Sequence, residues 1–376
     1  MDPVTHTLAG ATLSATGLRR TTPCATATLI LAANAPDVDI VTQALGPHSA
    51  LALRRGITHG LPAMVVLPFV VTGLVVLWDR RVRQRRGTNS PPVRPAALLG
   101  LSFLGVATHP VLDWVNTYGM RWLMPFDGRW TYGDAIFIVD PWMWLVLGGA
   151  LFVLHSAGNW SMLGWSLLAA AMSLLVLATN VAPPAARFLW VVGLAAVAVA
   201  RVRLGPTPSR SSSERIARLA TAVAGLYLLA MILQTPVAER LVVLESERLE
   251  MERPIDVMVG PVPANPFAGD VILRTPDGYW RGAFHWFSQP RLQLDPAFLA
   301  SHPPDPVTAA AAGHPAVRDY LTWSRFPLFE VVRTETGWFV TVSDVRYRDR
   351  AGSGGLGGLT VEVGDDLQAG DLQVVD

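Results

Sequence analysis

Three Thr-His pairs, Thr5-His6, Thr58-His59 and Thr108-His109, punctuate the first third of this 376-residue chain. Two acidic motifs accompany them, Asn34-Ala-Pro-Asp-Val-Asp39 and His109-Pro-Val-Leu-Asp113. A His and an Asp four residues apart share one helical face, so His109 and Asp113 can address one ion. Asp37 and Asp39 follow Pro36 at a spacing that suits a turn directing two carboxylates into a shared cavity. Imidazole plus carboxylate is a donor set for zinc foremost, with manganese or iron as further candidates. Carboxylate oxygens alone would suit magnesium or calcium. The single cysteine, Cys24, excludes both an internal disulfide and a thiolate-rich zinc site. The chemistry on offer is hydrolysis by a metal-activated water, with Asp37, Asp39 or Asp113 as general base or as a bridge between two ions.

The elements that must position these residues are membrane helices. Residues are 51% hydrophobic and 16% charged, and mean hydropathy is +0.35. Lipid accepts only segments whose backbone groups are satisfied internally. The apolar runs 61–78, 96–115, 136–155, 160–179, 184–201 and 216–234 therefore predict spanning helices, and the shorter, Thr- and Ala-rich 4–18 and 24–36 predict two more. Asp2 and the lack of a basic amino-terminal region argue against a cleaved signal peptide. A net charge of +1 gives no sign of a nucleic-acid partner.

Basic residues mark the cytoplasmic side. Arg19-Arg20, Arg80–Arg86 and the arginines of 201–218 fall on one face of an eight-segment arrangement whose amino terminus is outside. His6, Asp37, Asp39, His59, His109 and Asp113 all fall at the opposite ends of their segments. A spanning helix is roughly 30 Å long, so only residues sharing one end can meet at one ion. Asp140, at the start of the fifth segment, lies on that same face. It joins Asn34, Arg54 and Arg55 as a candidate for supporting the ligands or contacting substrate, and Arg54, Arg55 and Arg121 are candidates for holding an anionic group such as phosphate. Asp127 and Asp134 lie in the aromatic-rich stretch 114–138, a candidate cover for the site. His155 falls at the other face. His285, His302 and His314 lie beyond the apolar region without acidic partners at metal spacing.

From about Arg240 onward charged residues, prolines and glycines return and no run is long enough to span a bilayer. Alternating segments flank Thr275-Pro-Asp-Gly278 and Thr334-Glu-Thr-Gly337, two hairpin signals. Residues 307–323 predict a short helix and 351–358 a glycine-rich loop. The expected architecture is a mainly α, polytopic bundle of about eight helices over 1–239, followed by a small soluble α+β domain over 240–376 on the outer side.

The order of motifs resembles a known family. Thr5-His6-Thr-Leu-Ala-Gly10, Asn34-Ala-Pro-Asp-Val-Asp39, Arg55-Gly-Ile-Thr-His59 and Thr108-His109-Pro-Val-Leu-Asp-Trp-Val-Asn-Thr-Tyr-Gly119 are similar to the membrane-bound metal-dependent hydrolases of the YdjM/YfhP type. The likeness runs on through Met124-Pro-Phe126 and Val139-Asp-Pro141. It implies that His6, Asp37, Asp39, His59, His109 and Asp113 form a metal site. This chain has Arg54 where the third motif of the family often carries a histidine. The opening Thr-His pattern also resembles zinc-dependent phospholipase C proteins, which implies phosphoester or lipid substrates at an inner membrane. Two other readings fit the same residues: a transporter that binds a passing cation, and a non-catalytic scaffold whose metal ties helix ends together.

Overall fold

The computed structural model describes residues 1–86, 91–178, 182–348 and 356–373. The chain divides into two compact units, each considered by itself. The first comprises Met1–Val38, Arg55–Thr235 and Gly260–Pro266, and the second Asp39–Arg54, Pro236–Val259 and Phe267–Asp376.

In the first unit the predicted helices form, but not all reach membrane length. Helix α1 (Pro3–Ala15) starts at the Asp2 cap with Pro3 in its first turn, and Gly17, at φ +126°, turns the chain after it. Helix α2 (Ala25–Asn34) begins after Cys24, whose left-handed backbone blocks an earlier start. At 13 and 10 residues, both fall short of the roughly 20 needed to span. Helix α3 (Pro47–Leu53) belongs to the second unit. Helix α4 (Leu61–Trp78) runs on through irregular turns to Arg86, and α5 covers Pro95–Trp114. Helix α6 (Pro141–His155) is interrupted by a π-helical stretch at Trp144–Gly148. Helices α7 (Asn159–Ala178), α8 (Pro184–Leu204) and α9 (Arg210–Arg248) follow. Five helices of the described residues, α4, α5, α7, α8 and α9, are long and apolar enough to cross a membrane, with α6 a shorter apolar one. The expected eight are thus reduced to five because cap and turn residues cut α1, α2 and α6 short.

Small residues bring the site-bearing helices together, as in membrane bundles where close backbone approach replaces a hydrophobic drive. A Cβ added to Gly10 of α1 would lie 2.8 Å from the Leu29 carbonyl oxygen of α2. One added to Gly105 of α5 would lie 2.6 Å from Ala32 Cβ. Helix α2 is thereby gripped between α1 and α5. Thr72 of α4 donates to Ser102 of α5 at 3.0 Å.

The second unit carries two antiparallel sheets. Strands β1 (Asp256–Val262), β2 (Asn265–Thr275), β3 (Gly278–His285) and β4 (Leu292–Leu294) lie in that order, with β5 (Leu299–Ala300) also on β3. Strands β6 (Pro327–Arg333), β7 (Gly337–Asp344), β8 (Leu359–Gly364) and β9 (Ala369–Gln373) form the other sheet. Both predicted hairpins are present, as β2–β3 and β6–β7. Ala238 and Val242, near the end of α9, pack with Val271, Leu273 and Phe284 of the first sheet. The helix expected over 307–323 is two, α10 (Pro306–Gly313) and α11 (Pro315–Trp323). Pro315 lacks the N–H that would continue the first helix, and His314 caps the second by accepting from Ala316 N at 3.2 Å. Residues 351–355 of the expected glycine-rich loop lie outside the described residues.

Candidate metal centre

The four motifs meet at one end of the first unit. His6 sits in the first turn of α1, Asp37 just past the end of α2, His59 just before α4, and His109 and Asp113 in the last turns of α5. Each residue therefore occupies whichever helix end points the same way. One ligand atom each from Asp37, His59, His109 and Asp113 lies within 4.8 Å of all the others. His59 Nε2 is 3.2 Å from Asp113 Oδ2 and 3.8 Å from Asp37 Oδ1. His109 Nε2 is 3.5 Å from Asp113 Oδ2, 3.7 Å from Asp37 Oδ1 and 3.1 Å from His59 Nε2. Ligands about 2.1 Å from a tetrahedral ion stand roughly 3.4 Å apart. The five separations above, 3.1–3.8 Å, bracket that spacing.

Neighbouring groups turn the imidazoles inward. His109 Nδ1 faces the Ala33 carbonyl oxygen at 2.6 Å, so this nitrogen must donate, leaving a lone pair on Nε2 in the neutral ring. His59 Nδ1 contacts the Thr58 hydroxyl at 3.0 Å. When that hydroxyl accepts, His59 Nε2 also presents a lone pair to the cluster, and a cation relieves the repulsion between the two nitrogens. Such partners behind metal-binding histidines fix tautomer and orientation. His6 adjoins the group through Asp113, Nε2 to Oδ1 3.3 Å, and its ring stacks on His109 with centroids 3.8 Å apart. Neither ring nitrogen of His6 makes a hydrogen bond, although both are buried. The Met1 amino group also lies on Asp113 Oδ1. The residues present thus fit a divalent ion.

Arg55 clamps Asp113 from behind. Its Nε pairs with Oδ2 at 2.9 Å and its Nη2 donates to Oδ1 at 3.0 Å. Its Nη1 serves the Asn116 side-chain oxygen at 3.0 Å and the Gly119 carbonyl at 3.2 Å, and the guanidinium lies over the Tyr118 ring at 4.5 Å. The side chain is only 5% exposed, so it faces Asp113 rather than an incoming anion. Asn116 was not among the sequence candidates. Its signal was its place in the fourth motif, three residues after Asp113, which sets it one turn further along.

Other candidates lie apart from the cluster. Asp39 pairs with Arg54, Oδ1 to Nε 3.6 Å. The stretch Ala35–Leu45 is a 3₁₀-helix. With three residues per turn, side chains two apart diverge by roughly 120°, and the His/Asp group includes Asp37 without Asp39. Asn34 donates to Thr7 Oγ1 at 3.1 Å and to the Ile30 carbonyl at 2.8 Å. Asp140 caps α6 by accepting from Met143 N at 2.9 Å and accepts from the Tyr227 hydroxyl at 2.8 Å. Arg121 stacks over Trp130 at 4.7 Å, and Asp127 pairs with Arg129 at 2.6 Å. The Asp134 carbonyl accepts from Thr235 at 3.3 Å.

Fold and cluster define a multi-pass membrane protein with a buried His/Asp group able to hold a metal ion. Comparison with known proteins places it further. Residues 1–182 match the model of the family described as YdjM inner membrane protein. One curated relative, named "Uncharacterized protein YfhP", comes from Bacillus subtilis (strain 168). It is 23% identical over 125 residues, which is 33% of this chain and 35% of the relative. The match spans about a third of that relative's length. No solved structure matches the chain.

Proposed function

We propose that the protein is a membrane-embedded, metal-dependent hydrolase acting on an ester or phosphoester of a lipid or envelope-related substrate. The observation that carries this reading is the convergence of Asp37, His59, His109 and Asp113 at one end of the bundle. In that group three members are buried and Asp37 is 18% exposed. Two imidazoles and two carboxylates favour zinc. When bound, the ion supplies Lewis acidity and lowers the pKa of a coordinated water. Asp113 is fixed by Arg55. Asp37, whose side chain is 18% exposed, would be the carboxylate placed to accept a proton from a water. His109, oriented by the Ala33 carbonyl, and His59, beside the Thr58 hydroxyl, would hold the ion through their Nε2 atoms.

Location supports hydrolysis over transport, since carriers place their sites near the bilayer midplane and these residues occupy helix ends. It also suggests substrates whose scissile bond lies at the lipid boundary. The basic residues occupy the other end: Arg20 and Arg210 both pair with Glu214, at 3.3 and 3.5 Å. Arg94 N donates to Thr22 at 2.8 Å, and Arg201 holds Ser156 at 2.7 Å. By the positive-inside rule that end is cytoplasmic. The metal centre is then extracytoplasmic at an inner membrane.

The test is the metal content of detergent-purified wild type against the double variant His59→Ala/His109→Ala. Stoichiometric metal in the wild type, lost in a variant that keeps its elution profile, is the expected result and opens a screen of phosphoesters and lipids. A wild type that binds no metal even after reloading sinks the proposal.

A further inference from the structure

A second feature of the first unit adjoins the metal centre. A cavity of about 290 Å³ opens between α1, α6, α7 and α8. Val4 and Leu8 of α1 form one wall, and they flank His6 in sequence. Trp144, Gly148 and Phe152 of α6 form the floor, and Trp165 of α7 closes the far side. The lining includes one hydroxyl, Ser166, and no charged group. Two of the three lining indoles have their N–H groups engaged elsewhere: Trp144 donates to Thr5 at 3.0 Å and Trp190 to Ser173 at 3.0 Å. They turn carbon, not nitrogen, to the cavity. A space so poor in polar partners suits hydrocarbon better than water.

The shape selects a chain over a helix. Helices α6 and α8 already touch beneath the cavity: a Cβ at Gly149 would lie 2.7 Å from Val197, and one at Gly193 would lie 2.3 Å from Leu145. No partner helix can enter between them. Helix α7 stands off, with Val176 its one buried residue, which leaves a sideways opening toward lipid. From Trp144 to Phe152 the floor runs about 12 Å along α6 at helical rise. The Trp144 end is tied to the first turn of α1 through Thr5, one residue from His6. The π-helical turn Trp144–Gly148 forms this end of the floor, and such turns recur at functional sites.

We propose that this cavity takes one hydrocarbon chain of a membrane lipid, oriented with its head at the metal centre and its tail toward Phe152 and Trp165. The proposal rests on the hydrolase reading only for what happens to the head group; the chain-binding site stands or falls by itself. Gly148 supplies the blocking variant, because its added Cβ would meet Leu8 at an ordinary 3.6 Å. Gly148→Leu fills the cavity without forcing the backbone apart, and Ala169→Leu narrows it from α7.

The experiment uses the full chain in vesicles of phosphatidylethanolamine and phosphatidylglycerol doped with a phospholipid carrying a diazirine on one acyl chain. After photolysis, adducts are mapped by mass spectrometry. A head-proximal diazirine should label residues 4–8 and 144–148, and a terminal one residues 152–165. Either variant should cut these adducts about tenfold and leave metal content and labelling of α4 unchanged. Adducts spread evenly over α4, α7 and α8 and indifferent to both variants mean surrounding lipid only and overturn the site. The reversed order of head and tail labels overturns the orientation. Wild type without metal but with the expected adducts would refute the hydrolase reading and leave the lipid site standing.

Discussion

Arg55 shows how much of the metal centre depends on a residue that need not touch the metal. It is a non-glycine residue at φ +49°, in the left-handed region that side chains rarely adopt. That backbone aims the guanidinium inward, where its fork meets both Asp113 oxygens and its remaining nitrogen reaches Asn116 and Gly119. Removing one partner of a buried ion pair costs about 3–5 kcal/mol, because the other charge is left uncompensated. Arg55→Ala should therefore lower the thermal unfolding midpoint and the metal bound per chain. Arg55→Lys should restore little of either, since one ammonium cannot make the two-point contact and serve Asn116 as well. Recovery of both quantities by lysine would show that charge alone matters at this position.

At the scale of elements, the turn after β7 is organised by a buried ion pair outside the membrane helices. Asp344 accepts from Ser324 Oγ at 2.8 Å and from the Arg325 N–H at 2.8 Å, and Arg346 holds both its oxygens, at 2.8 and 2.9 Å. Burial pushes its carboxyl upward, but the Arg346 charge and these hydrogen bonds prevail and hold it below the usual carboxylate range. A carboxyl depressed in the folded state contributes stability that is present above its unfolded value, about 3.9. That stability is lost as pH falls through the folded value. Acid unfolding of wild type should thus include a step below about pH 4 that Asp344→Asn removes, at the expense of lower stability at neutral pH. Denaturant midpoints measured across pH 3–7 check this, and an unchanged acid limb in the variant would assign the step to other carboxylates. Element lengths show the limit of pattern reading. Apolar runs located every helix of the bundle, yet the boundaries at Gly17, Cys24 and Asp140 depend on caps and backbone angles that hydropathy does not register.

At the scale of the whole molecule, the separation of charge and chemistry makes a topological prediction. Site residues occupy one end of the bundle, and the pairs Arg20–Glu214 and Arg210–Glu214 the other. In a Cys24→Ser background, Gln43→Cys lies in the connection between Asp37 and Arg55, and Ser211→Cys at the start of α9. Both positions are exposed. A membrane-impermeant maleimide applied to intact spheroplasts should label Gln43→Cys and spare Ser211→Cys until the cells are lysed. The reverse pattern would turn the metal centre to the cytoplasm. The second unit also claims part of this connection: Ser49 of α3 donates to Asp319 of α11 at 2.7 Å, though the two lie far apart in sequence.

The sequence by itself determined the bundle, the ends at which chemistry collects, and the motifs that supply it. Hydropathy and charge asymmetry are written in composition, and an i, i+4 pair such as His109 and Asp113 keeps its geometry in any helix. Only the tertiary structure decided which carboxylate of Asp37 and Asp39 joins the histidines, because that choice depends on a 3₁₀ turn where helix or loop was equally open. Only it showed Arg55 facing Asp113 instead of solvent, and Ala33 orienting His109, since both contacts join segments distant in the chain. A backbone carbonyl leaves no trace in residue identity, so the group that aims His109 could be found in no motif.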